Sequence, residues 1–165
     1  MGFNDDNFLD DYEIQELINK FESQLESGMP LFFDADELNI ILEHYVQKND
    51  IPKINIIADL ASTYNEANPL TKLIMAKKYL SVQDAANALP YLLDESNNAD
   101  DPDYQLSLGY CYSLMDEHKK SLSAYKKAVK LLEKENCDDI YNSMAVEYMM
   151  LRDFERALHY FQKGI

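Results

Sequence analysis

Basic residues are half as numerous as acidic ones, 15 against 30, and the formal net charge is −15. Phosphate backbones and anionic lipid surfaces are bound by concentrated Lys and Arg, so nucleic acid and membrane surfaces are disfavoured as partners. Cysteine is limited to Cys111 and Cys137, neither in a CxxC arrangement. Buried, reduced thiols are expected of both in preference to a disulfide between them. Glycine and proline are scarce, four and five residues, and alternating apolar–polar runs are missing, which argues against strands. No secretory h-region and no apolar run long enough to span a bilayer occurs, which points to a cytoplasmic protein.

Signatures of chemistry are also missing. His44, His118 and His159 stand alone, none spaced as a metal pair. The segment Asp50-Ile-Pro-Lys lacks the glycine-centred loop of a calcium site. There is no Gly-rich phosphate loop and no GxSxG elbow. Acidic pairs (Asp5-Asp6, Asp10-Asp11, Asp100-Asp101, Asp138-Asp139) fall in expected loops or helix caps, where solvation and capping account for them better than acid–base work. No catalytic, cofactor or metal site is therefore expected, and the chain is read as a non-enzyme.

What is present is helical periodicity over 165 residues, enough for a domain of ordinary size with a real core. Residues 1–33 form an acidic segment. Its first eleven residues are expected to be irregular, and Ile14, Leu17, Ile18, Phe21 and Leu25 mark one face of a helix over Asp11–Ser27, ended by Gly28 and Pro30. That helix reads as a cap, with Glu13, Glu16, Lys20 and Glu22 on its outward side. Next, Asp34 and Glu37 are placed for a capping box. Asp50 opens a return helix with Pro52 in its tolerant first turn, and Asn68-Pro69 and Asp101-Pro102 open two more helices. Pro90 predicts a kink or a late start in the helix that holds Ala88 and Leu92. The stretch 94–103 reads as an acidic loop.

The most regular stretch is 102–128, two helices joined by a tight turn. Gly109 and Ser121 are small enough for the two backbones to approach, and Leu108, Tyr112 and Tyr125 fill the space beside them. The small-residue landmark recurs at Leu42, Ala76, Gly109 and Ala145, in steps of 34, 33 and 36, each followed three residues later by Tyr45, Tyr79, Tyr112 or Tyr148. Return-helix landmarks are Ile54, Ala88, Ser121 and Ala157. Large residues at Leu42 and Ile54 predict a wider first hairpin. With Leu108-Gly109, Tyr112, Ser121, Tyr125 and Ala128 at these offsets, the chain resembles the tetratricopeptide repeat (TPR) family. It departs from the family pattern in having no Trp and no closing Pro.

The resemblance implies an all-α, right-handed superhelical solenoid of antiparallel helical hairpins over 34–165, in approximate units 34–67, 68–100, 101–136 and 137–165, preceded by the extra N-terminal helix. It implies a scaffold binding a peptide or protein segment in a concave groove. Carried over residue by residue, the groove is lined by Asn39, Glu43, Leu73, Lys77, Leu80, Leu106, Tyr110, Asn142, Val146 and Met149. This lining lacks the ring of Lys, Arg and Asn that clamps a terminal carboxylate in chaperone-tail-binding members. Residues 1–40 hold 11 acidic and 1 basic residue, whereas 104–165 hold 9 of each, so the acidic end favours a basic partner. The alternatives are a structural module that self-associates, through its C-terminal end for instance, and a regulatory fragment of a longer multidomain protein.

Overall fold

Helix boundaries follow from local caps. In the computed structural model, which describes residues 10–64, 67–94, 99–134 and 136–165, Asp10 and Glu13 close a capping box on α1 (Asp11–Ser27), and Gly28, left-handed at φ 66°, ends that helix. Asp34 and Glu37 do the same for α2 (Ala35–Gln47), with Glu37 N to Asp34 Oδ1 at 2.8 Å and Asp34 N to Glu37 Oε2 at 2.9 Å. Asp50 accepts from Lys53 N at the start of α3 (Ile51–Tyr64). Asn68 caps α4 (Pro69–Ser81), Asp84 caps α5 (Ala85–Leu92), and Asp101 caps α6 (Pro102–Leu114). The chain continues through α7 (His118–Leu131), α8 (Asp138–Met150) and α9 (Phe154–Lys163), the last capped by Asp153. No strand occurs among the described residues. The expected irregular start falls outside them for residues 1–9, as do residues 95–98 of the acidic loop.

The chain divides into two compact units, one ending at Tyr64 with α1–α3 and the other holding α4–α9. In the first, Phe21 of α1 is fully buried between Phe33 (ring centroids 5.8 Å) and Tyr45 (5.7 Å). Glu22 is not on the outward side of α1 as the periodicity suggested. It is half-buried and accepts the Tyr45 hydroxyl at 2.9 Å, because Tyr45 needs a partner for its buried polar end. The core of this unit includes Leu38, Ile41, Leu42, Ile54 and Ile57, all at 0% exposure. Each such side chain contributes about 1.5–3 kcal/mol on burial.

In the second unit, α4 and α5 close over Leu73, Ala76, Leu80, Ala88 and Leu92 with Cys111 of α6, and α7–α9 close over Leu122, Tyr125, Met144, Tyr148 and Ala157. Helix α5 begins on schedule at Ala85. Pro90 neither delays its start nor stands deep inside it: the helix stops two residues later, at Leu92, after eight residues. The missing amide of Pro90 removes one ladder bond, so little is lost by ending there. Both cysteines are buried and unbridged, and burial pushes both thiols up.

The four hairpin turns share one geometry. Asn49, Gln83, Asp116 and Arg152 all adopt left-handed backbone (φ 54°, 60°, 58° and 61°). After each comes the residue whose N–H returns to a landmark tyrosine carbonyl: Asp50 to Tyr45, Asp84 to Tyr79, Glu117 to Tyr112 and Asp153 to Tyr148, at 2.9–3.0 Å. These turns keep the 34, 33, 36 phase of the landmarks without a single glycine.

Candidate functional site

In the third hairpin the close approach is a ring over a backbone. A Cβ added at Gly109 would lie 2.5 Å from Tyr125 Cε1 and 2.6 Å from Cδ1. Tyr125, rather than Ser121, thus occupies the gap that glycine leaves. Its hydroxyl is pushed up to about 12, first by burial and then by the nearby Glu147 carboxylate.

Glu147 ties successive hairpins together. It is 2% exposed on α8, accepts from the Ser113 hydroxyl of α6, and lies 2.7 Å (Oε2) from Nδ1 of His118 at the start of α7. A buried carboxylate is tolerable only with such partners. Ser113 bonds Glu147 and not the imidazole, so the carboxylate is what joins α6, α7 and α8 here.

The residues expected in the groove separate into three groups. Leu73 and Leu80 are 4% and 5% exposed and belong to the core against Leu92 and Cys111, so they have packing partners that the periodicity did not assign them. Lys77 is 9% exposed with its ammonium 3.2 Å from Asp103 Oδ2. Leu106 packs against the Tyr125–Met144 cluster, and Asn142 donates to the Gly164 carbonyl at 3.4 Å. Asn39 and Glu43 lie half-buried on α2, in the first unit. Tyr110, Val146 and Met149 remain open, at 40%, 48% and 46% exposure. Tyr110 and Val146 occupy the same place in successive units, each one residue past Gly109 or Ala145. Met115 and Met150 are exposed as well. Reasoning from helical faces passed over them: Met115 lies beyond the last residue of α6, and Met150 is the last residue of α8.

The first unit presents a different surface. An open cleft of about 1010 Å³ between α1 and α2 has Leu17 and Ile40 among its lining, with Glu13, Glu16, Asp34, Asp36 and Glu37 around a single lysine, Lys20. Asn39 lines this cleft. Several of its carboxylates already cap helices. Among the described residues no group of His, Cys, Asp and Glu is arranged to hold a metal ion, and no helix is long and apolar enough to cross a membrane.

No family model matches the chain, and no curated protein matches it. Solved structures do. A chain of the APC/C hetero-tetramer Cut9–Hcn1 is 17% identical over 92% of this chain and 28% of its own length, with a TM-score of 0.70. This protein thus spans little more than a quarter of that chain. TTC0263, a thermophilic TPR protein of Thermus thermophilus, is 17% identical with a TM-score of 0.70, covering 93% of this chain and 82% of its own. MamA of MSR-1 is likewise 17% identical, with a TM-score of 0.60 over 93% and 95%. The fold is a TPR-like α-solenoid.

Proposed function

We propose that this TPR-fold chain is a protein–protein interaction scaffold that holds a peptide or protein segment against the face shared by α6 and α8. The observation that carries the reading is the exposure of Tyr110 and Val146 at matching positions of successive first helices, with Met149 exposed one turn beyond Val146. Apolar groups left open side by side, rimmed by polar residues, are the usual mark of a contact surface, and aromatic and Met side chains are favoured there. The acidic cleft of the first unit supports a positively charged partner, whose approach it would steer. Groove residues that the core has claimed, Leu73 and Leu80 above all, are left out of this contact surface.

A photo-crosslinking residue placed at 110, compared with one at the exposed Lys119 of α7, tests the reading in extract of the native cell. Capture of one defined partner from position 110 only, lost in the Val146→Ser/Met149→Ser variant, is the expected result. Equal capture from 119, or capture unaffected by the double variant, would move the contact elsewhere.

A second reading, self-association, is favoured by α9. Phe154 and Leu158 are 66% and 60% exposed, whereas the corresponding α7 positions, His118 and Leu122, lie largely covered within the packing of α7 on α8. A face that is covered in one unit and open in the next is suited to receive a helix from a second copy.

A further inference from the structure

We propose that the cleft where α7, α8 and α9 meet is a binding site for a phosphoryl group, lined by Lys126, Lys134 and Lys163 beside Tyr141 and Tyr160. It lies apart from the α6–α8 face, and the proposal does not depend on the scaffold reading.

Charge is the first argument. In a chain with two acidic residues for every basic one, three lysines line one cleft and no described carboxylate does. Lys72, Lys77 and Lys127 each meet an Asp within 3.7 Å. None of the three cleft lysines has a carboxylate partner among the described residues. Like charges on residues that line one small cleft repel one another, and a bound anion relieves that repulsion, a dianion more than a monoanion.

Placement is the second. The rings of Tyr141, Tyr160 and Tyr148 form a ladder, with centroids 6.0 Å apart for the first pair and 5.4 Å for the second, which is stacked at 12°. Lys163 Nζ lies 5.5 Å from the centroids of both Tyr141 and Tyr160, and Lys126 Nζ lies 5.6 Å from that of Tyr148. Those cation–π contacts restrain two flexible side chains. Lys134 follows α7 in left-handed backbone at φ 69°, its N–H bonded to the Val129 carbonyl at 3.1 Å. Three point charges from a helix, a turn and a second helix suit a tetrahedral anion, which lysine binds without the planar fork that carboxylates favour.

Size is the third. The cleft measures about 190 Å³. That is below the roughly 300–1,000 Å³ of sites that enclose a whole small molecule, and equals about six water-sized volumes of ~30 Å³. It therefore takes a head group, with Val129, Met144 and the tyrosine rings against whatever carries it. The source is either free phosphate or a phosphorylated side chain.

The test is a titration of the full chain at pH 8 and fixed ionic strength with two probes, inorganic phosphate and a short peptide holding one phosphotyrosine, followed by NMR amide shifts. Saturable shifts centred on Tyr141, Tyr160 and Lys163 are expected. The variant Lys126→Gln/Lys134→Gln/Lys163→Gln should lose at least about tenfold in affinity, since bonds to charged groups are each worth a tenfold or more. The variant Lys48→Gln/Lys119→Gln/Lys130→Gln, with the same net charge, should keep it. Lys134→Glu alone, outside any helix, gives an independent reading and should also weaken binding. Tighter binding of the peptide assigns the site to a phosphorylated partner; equal or tighter binding of phosphate assigns it to the free ion. Absence of saturable binding by both probes, or the same loss in the two triple variants, would overturn the proposal.

Discussion

Replacing Gly109 by alanine sets two known effects against each other. Glycine inside a helix is about 1 kcal/mol worse than alanine, so on helix propensity alone Gly109→Ala would stabilise the protein. The added Cβ, however, would stand 2.5, 2.6 and 3.1 Å from Cε1, Cδ1 and Cζ of the Tyr125 ring, where ordinary carbon contacts are longer by about 1 Å. That ring is 5% exposed and wedged among Leu122, Met144 and Tyr148, so it has nowhere to retreat. Overpacking of this kind costs about 1–3 kcal/mol, and the net effect of Gly109→Ala is a loss of up to about 2 kcal/mol. Gly109→Leu should lose more. Tyr125→Ala alone should cost about 3–5 kcal/mol. In the Tyr125→Ala background the clash has no second partner, so Gly109→Ala should reverse sign and stabilise by about 1 kcal/mol. Urea unfolding followed by circular dichroism reads all four corners of this cycle. If Gly109→Ala stabilises equally in both backgrounds, the ring is not what makes glycine necessary, and the account of the third hairpin is wrong.

Glu147→Ala would strand the part-buried Ser113 hydroxyl and His118 imidazole, which water reaches in part, so a loss of about 1–3 kcal/mol is expected in the same assay. Glu147→Gln keeps an acceptor for Ser113 and offers an N–H to the imidazole, and should cost about 1 kcal/mol; equal losses for the two variants would mean that the trio does not hold successive hairpins together. For self-association through α9, Leu158→Asp should shift the molar mass in light scattering from dimer to monomer without changing helix content. A parent that is monomeric at high concentration removes that reading.

Much of this architecture is local and therefore legible in the chain. Asp34 with Glu37, Asn68 with Pro69, and Asp101 with Pro102 each specify a helix start within four residues, and each start is where those residues predict it. The repeat phase is equally local, because a hairpin reuses one turn and one pair of contacts. What residue types could not reveal is the turn itself: its left-handed residues are Asn49, Gln83, Asp116 and Arg152, held there by the return bonds to the tyrosine carbonyls and not by glycine.

The division of apolar residues between core and surface was decided only by the tertiary structure. Helix α4 carries apolar side chains on several sides and packs on both α5 and α6, so periodicity alone cannot say which side is open. Leu73 and Leu80 are drawn inside while Tyr110 and Val146 stay out. The same holds for Gly109, whose place at a close contact could be read, but whose partner depended on where the Tyr125 ring settled. Nothing in the sequence marks Lys126, Lys134 and Lys163 as a group. They share one cleft because α7 and α9 both pack on α8, and that is a property of the packing rather than of any one segment.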